Sequence, residues 1–186
     1  MKKKLTKIIL YVITSALSIG LVVATVFAVD PGKNDIPLAE KLPLTAFSAS
    51  SYYVNDSVYS PQHAKLSDTS AHSNWSAGEL DQNQWLQVDL GKVREIVGVA
   101  TKGRHANYLQ WVTSYALSYS SDGKQWTFYK TKSDKDRTLF QGNQDTNTLV
   151  FHRFPKPIKA RFVRIHPVTW HEHITMRLEL YGSAKK

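Results

Sequence analysis

Residues 85–91 read WLQVDLG, and the alternation inside them decides the fold class. Leu86, Val88 and Leu90 fall on one face of an extended segment, with Gln87 and Asp89 on the other. An apolar period of two over a strand's length predicts a half-buried β-strand, and Gly91 ends it. Working outward, residues 93–100 form a second apolar run, residues 114–119 (SYALSY) a third and residues 126–129 (WTFY) a fourth. Between the third and fourth, Ser121-Asp122-Gly123 signals a hairpin, because glycine supplies the positive φ that tight turns require. Residues 161–166 (RFVRIH) and 176–181 (MRLELY) alternate again, the latter turning Met176, Leu178 and Leu180 inward. No segment after residue 30 keeps a helical period over three turns. Short strands separated by regular turn signals predict an all-β antiparallel sandwich or barrel.

The ends of the chain have a different texture. Lys2, Lys3, Lys4 and Lys7 precede residues 8–29, a run of 22 residues without a charge. That pattern reads as an export segment, 1–28. It is either a signal peptide cleaved after Ala28 in Val26-Phe27-Ala28, or an N-terminal membrane anchor, since the run exceeds the usual signal core of about 7 to 15 residues and matches the roughly 20 that span a bilayer. Lysines on the cytoplasmic flank place the remaining chain outside in either case, secreted or tethered to the outer face of a membrane. Residues 29–43, with Pro31, Gly32, Pro37 and Pro43 among charged residues, read as a linker, and one domain of 44–182 and a short tail, 183–186, follow. Of the 24 basic residues, four lie in residues 1–28, which hold no acid; 20 basic against 15 acidic residues leave the remainder at +5. Such a surplus suits anionic surfaces and is too small, without a basic run or motif, for nucleic acid. The chain has no cysteine, so an exported domain of this kind is held by packing, for which five Trp, nine Tyr and seven Phe are available.

Seven segments carry a family resemblance in order and spacing: residues 47–52 (FSASSY), 85–91, 111–115 (WVTSY), 119–126 (YSSDGKQW), 140–143 (FQGN), 160–167 (ARFVRIHP) and 177–182 (RLELYG). Together they resemble the discoidin domain, also called the coagulation factor V/VIII type C domain. The resemblance implies a galactose-binding-like jelly-roll β-sandwich of about eight main antiparallel strands, with ligands held by loops at one end, in a module that binds rather than catalyses. The family often joins its two ends with a disulfide. Here Ser183 follows Gly182, so that clamp is absent, and the terminal strands are expected to pair without it.

On the same resemblance the binding end comprises residues 54–60, 67–77, 103–110 and 168–173. The ligand-binding candidates there are Asn55, Asp56, Tyr59, Asp68, His72, Arg104, His105, Asn107, Tyr108, Trp170 and His171. Membrane-binding relatives carry large apolar side chains at the first tip. This chain has Asn55-Asp56-Ser57 instead, and an aspartate is repelled by anionic headgroups. Polar loops that mix Arg, Asn, His and aromatics suit sugars, which offer hydroxyls to polar groups and a C–H face to rings. Arg104 is the leading residue, as a forked donor; its alternative role is to brace its own loop. Trp75, Trp85, Trp111 and Trp126 read as core.

Asp68 is a weak calcium candidate; otherwise no cofactor is expected. His171-Glu172-His173 lacks the four-residue spacing of a zinc helix and a third ligand, and no Ser, His and Asp form a nucleophile arrangement. Asn55-Asp-Ser57 and Asn74-Trp-Ser76 fit the N-glycosylation pattern, with Asn74 expected to escape beside a buried Trp75. The expected function is an extracellular lectin or adhesion module for cell-surface or matrix glycans or glycoproteins, with a homo-oligomer supplying avidity. The alternatives are peripheral binding to phosphatidylserine membranes and binding of a protein receptor or collagen-type ligand.

Overall fold

The computed structural model of the chain describes residues 30–67, 73–105 and 108–184. The expectations placed on residues 1–29, Asp68, His72 and Asn107 lie outside the described residues. The structure is a β-sandwich of nine strands: β1 (Asp35–Pro37), β2 (Phe47–Ala49), β3 (Trp75–Ser76), β4 (Leu86–Lys102), β5 (Trp111–Ser120), β6 (Thr127–Phe128), β7 (Phe140–Gln141), β8 (Val150–His171) and β9 (Thr175–Ser183). Every strand ladder is antiparallel.

Two long strands build both layers. The first half of β4 pairs with β2 and with the second half of β8, which continues to β5 and its partners β6 and β7. The second half of β4 pairs with the first half of β8 and with β9, which carries β1 and β3. Register shifts between Asp89 and Arg94, and between Ile96 and Gly98, mark where the pair bends from one layer into the other. Residues 85–90 and 93–100, read as separate strands, are therefore one bent strand. Gly91 has φ 74° and provides the bend, not an end.

The alternation in residues 85–91 points where it was expected to. Leu86, Val88 and Leu90 are buried against Met176, Leu178 and Leu180 of the facing layer. Trp75 is wholly buried, and its indole N–H donates to the Ser51 carbonyl at 2.8 Å, as a buried Trp must to avoid an orphaned donor. Trp85, Trp111 and Trp126 are not core; all three are half-buried. Trp85 and Trp126 sandwich the Arg164 guanidinium on the outer face of the sheet, with its carbon 4.1 and 3.9 Å from the two ring centres. Trp111 stacks on His171 at 4.2 Å. Each ring thus keeps one face for a cation or an imidazole instead of burying both.

Part of the stretch read as a linker is docked. β1 pairs with β9, Ala39 is fully buried, and Leu38 and Leu42 pack on the core. Two groups fasten it: Lys65 Nζ donates to the carbonyls of Glu40 and Leu42, and Glu179 Oε1 accepts the amides of Leu38, Ala39 and Leu180. The N- and C-terminal strands pair without a disulfide, as the sequence led us to expect.

Candidate functional site

At the end of the sandwich away from the β4 and β8 bends, a cavity of about 260 Å³ is lined by Tyr53, Tyr59, Ser76, Arg104, Tyr108, Gln110 and His173. Four separate loops and strand ends converge there. Three residues near its walls hold left-handed backbone although none is glycine: Val54 (φ 46°), Asn55 (φ 53°) and Glu172 (φ 60°). Such conformations are costly, most of all for β-branched valine, and they concentrate at functional sites. Here they aim the rings beside them. Tyr53 meets Tyr59 and His173 edge-on, both at 5.3 Å.

Arg104 forms the floor. It is only 9% exposed, and no carboxylate among the described residues bonds to it. Its backbone amide donates to the Gln110 carbonyl at 2.9 Å and its Nη1 to Gln110 Oε1 at 2.7 Å, so Gln110 fixes the fork. The guanidinium carbon lies 3.7 Å from the Tyr108 ring centre and 5.6 Å from that of Tyr59. Nε is buried and lacks a partner among the described residues. A buried donor left open is expensive, about 1 to 3 kcal/mol, unless something else accepts from it. Asn74 Oδ1 nearby in sequence to the Ser76 wall is likewise buried and open, while its Nδ2 donates to Ser76 Oγ at 3.0 Å.

The loop that carries Arg104 is clamped from below. Arg177, 2% exposed on β9, donates from Nε to the Gly103 carbonyl at 2.9 Å and from Nη2 to the Thr146 carbonyl at 2.8 Å. Gly103 must be small: a Cβ there would sit 2.8 Å from Trp111 Cβ and 2.9 Å from the Asp145 carbonyl oxygen. The His173 imidazole is held below its usual pKa. Burial lowers its pKa, its bond to the Ile174 carbonyl opposes that, and the Arg104 charge lowers it further. Its Nδ1 lies 3.3 Å from that carbonyl oxygen and 3.4 Å from Thr175 Oγ1, which leaves Nε2 as the ring nitrogen for a ligand.

Of the sequence-derived candidates, the cavity brings together Tyr59, Arg104 and Tyr108. Asn55 and Asp56 are exposed on the adjoining loop; Asn55 lines a neighbouring groove with Tyr52 and Tyr53, and Asp56 accepts from the Val58 amide at 3.1 Å. His105 is half-buried and outside the cavity lining. Trp170 and His171 are not brought in: Trp170 packs on the core, and His171 is spent on Trp111. Glu172 turns the chain so that His173 enters the cavity instead, and the His171-Glu172-His173 run does not converge on a point. Sequence reasoning left out Tyr53, Ser76, Gln110 and His173. A signal existed for Ser76, because burial of Trp75 forces Asn74 and Ser76 to the opposite side of β3. Among the described residues no group of three His, Cys, Asp or Glu could hold a metal. Glu40 and Glu179 share a separate cleft with Ser67 and Lys102.

A nine-stranded sandwich with loops converging on a polar, aromatic-walled cavity defines a ligand-binding β-module. The F5/8 type C domain family matches residues 46–180, and the chain belongs to that family, whose members of this kind are binding modules and not enzymes. Among curated proteins it is 37% identical to bovine (Bos taurus) lactadherin over 146 residues, covering 76% of this chain and 34% of that protein. It is 38% identical over 129 residues to human (Homo sapiens) EGF-like repeat and discoidin I-like domain-containing protein 3, covering 69% and 27%. The chain thus spans about a third of the length of these relatives. Among solved structures, discoidin II from Dictyostelium discoideum aligns with TM-score 0.63 and 31% identity over 75% of this chain and 55% of that one. The family 32 CBM of C. perfringens NanJ, solved in complex with galactose, aligns with TM-score 0.55 and 19% identity over 79% and 98%, a likeness of fold.

Proposed function

We propose that the domain is an extracellular glycan-binding module whose cavity takes a sugar residue at the end or branch of a glycan. The observation that carries this is Arg104: a nearly buried guanidinium, fixed by Gln110 and stacked by Tyr108, whose Nε has no acceptor among the described residues. A neutral polyol supplies that acceptor through a ring or hydroxyl oxygen, and its C–H face meets the tyrosine walls. His173 adds a ring nitrogen for a hydrogen bond with a sugar hydroxyl. A dianionic ligand fits less well, because Arg104 is the one Lys or Arg among the described residues that line the cavity.

The test is a glycan array with wild type and Arg104→Ala side by side. Wild-type binding to one sugar class, reduced at least about 30-fold in the variant with an unchanged unfolding transition, is the expected result; about 2 kcal/mol is the worth of one charge-assisted hydrogen bond in a desolvated site. Equal binding by both proteins would reject the assignment of the cavity.

A second reading, attachment to phosphatidylserine membranes through the same loops, is favoured by two side chains at the rim. Val54 is 67% and Leu109 66% exposed, and insertion of each would contribute about 1.5 to 3 kcal/mol. Asp56 beside them opposes an anionic surface. Binding to acidic liposomes that persists with free sugar present, together with a silent array, would select this reading over the first.

A further inference from the structure

The pole of the sandwich opposite the cavity carries a second surface. Both long strands bend there, and most of the side chains on the bends are exposed. In β4, residues 91–95 are all exposed: Gly91, Lys92, Val93, Arg94 and Glu95. In β8, the register passes from Ile158 to Arg153 while β4 advances only from Ile96 to Gly98, so residues 154–157 form a bulge in which Phe154 packs inward on Tyr129 and residues 155–157 are exposed. Lys156 stands exposed on that bulge between two prolines, and Lys159 is exposed just beyond it. Lys92, Arg94, Lys156 and Lys159 are exposed on these bends, together with one acid, Glu95, which lies opposite Lys159 in the ladder. Asp89 at the same bend is taken by Arg161, which donates to both of its oxygens at 2.8 Å. Val93, 51% exposed, is an apolar tip flanked by two cations.

The chain enters the domain at this pole. Asp35 pairs with Ser183 at the outer end of the β1–β9 ladder, and the Ala184 amide donates to the Asn34 carbonyl at 2.8 Å. In sequence, residues 8–29 carry no charge, and Lys185 and Lys186 add two more cations beyond Ala184. From Val29 to Asp35 the chain can reach at most about 20 Å. A bilayer that held the uncharged segment would lie within that distance of the bends. The cavity lies farther off, since Ile96 to Lys102 alone spans about 20 Å of strand.

We propose that this basic pole seats on the anionic headgroups of the bilayer that carries residues 8–29, so that the domain stands with its sugar cavity facing away from its own membrane. The inference rests on retention of that segment and on no property of the cavity. Lys92, Arg94, Lys156 and Lys159 supply the attraction, and Val93 enters the interface between the two cations. Each cation brought to an anionic surface strengthens attachment about fivefold. Three of them reversed to glutamate abolish it.

The experiment uses the full chain in nanodiscs of neutral phosphatidylcholine or of phosphatidylcholine and phosphatidylglycerol at about 3:1, read by amide hydrogen exchange with mass spectrometry. Expected is slowing of residues 91–95 and 155–159 by at least about fivefold in the anionic discs, reversed in about 0.5 M NaCl, with residues 53–59 and 104–110 unchanged. Lys92→Glu/Arg94→Glu/Lys156→Glu should lose the slowing and keep its glycan-array signal, which also shows that it folds. Equal exchange in both lipids overturns the proposal. So does slowing at residues 53–59 and 104–110 instead, removal of residues 1–28 from the chain in its host membrane, or attachment to heparin with no effect of anionic lipid. A silent array with a protected pole would fell the glycan reading and leave this one standing.

Discussion

Glu179 and His166 are partly desolvated groups whose pKa values move in opposite senses, and exchanging each for glutamine separates their effects. Burial pushes the Glu179 carboxyl from 4.5 up to about 7; the amides of Ala39 and Leu180 offset part of this, and the neighbouring Glu40 charge adds to it. Glu40, Lys102 and Tyr181 are the other titratable groups around its cleft. Burial, then the Arg164 and Arg137 charges, push the His166 imidazole from 6.5 down to about 4. At 1.36 kcal/mol per unit, each displacement corresponds to about 3 kcal/mol at most, nearer 2 for the less buried His166. The signs are opposite. A carboxyl with a raised folded pKa contributes fully below 4.5, and that contribution is lost as pH rises to about 7. An imidazole with a lowered folded pKa contributes above 6.5, and loses it as pH falls to about 4. Relative to wild type, Glu179→Gln should therefore gain stability as pH rises between about 4.5 and 7, and His166→Gln as pH falls between about 6.5 and 4. Glutamine keeps an oxygen for the three amides at Glu179 and a partner for Ser118 Oγ, 2.8 Å from His166 Nε2. Urea unfolding followed by tryptophan fluorescence at pH 4 to 8, with EDTA present so that no divalent cation compensates Glu40 and Glu179, measures both. Difference curves that stay flat with pH, or that slope alike for the two variants, would refute the reasoning.

Three further predictions follow from particular contacts. Gly103→Ala should cost about 1 to 3 kcal/mol in urea unfolding, because the new methyl meets Trp111 and the backbone at Asp145 and Thr146, none of them the end of a flexible side chain; a neutral variant would show that the loop yields. Val54→Gly should raise stability by about 1 kcal/mol by removing left-handed strain, yet weaken glycan binding several-fold by loosening Tyr53; unchanged affinity would mean that the strain has no role in holding the cavity wall. Expressed in a glycosylating host, the exposed Asn55 should carry a glycan by mass spectrometry and Asn74, 1% exposed, should not.

How much of this was legible beforehand depended on how far apart the deciding residues lie. Leu86, Val88 and Leu90 could be placed inward from residues 85–91 alone, since a period of two is local. The bend at Gly91 could not: a glycine ends a strand or bends it depending on whether its neighbour bends too, and that neighbour, β8, lies some seventy residues away. The error over Trp85 and Trp126 has the same origin. Large aromatics are mostly buried, and nothing local shows that Arg164 lies between these two. At the cavity, Arg104 and Tyr108 were found because they sit in one loop. Tyr53, Ser76 and His173 come from three other segments, and His173 replaces His171 only because Glu172 takes a left-handed turn that no residue preference would suggest.

The cavity's rigidity and its strain have one explanation. Its walls come from loop ends, which a sandwich holds only at their roots, so their inward direction must be set by something other than the core. On one side the means is burial: Arg177 bonds to the carbonyls under the Arg104 loop, and Gly103 leaves no space between that loop and residues 145–146. On the other side it is backbone conformation: Val54, Asn55 and Glu172 hold Tyr53 and His173 edge to face. Both devices fix side chains before a ligand arrives, so the entropy of ordering them is not charged to binding. A ligand that met only flexible loops would need many contacts to bind. One that meets a prearranged guanidinium and tyrosine wall can be as small as a single sugar ring.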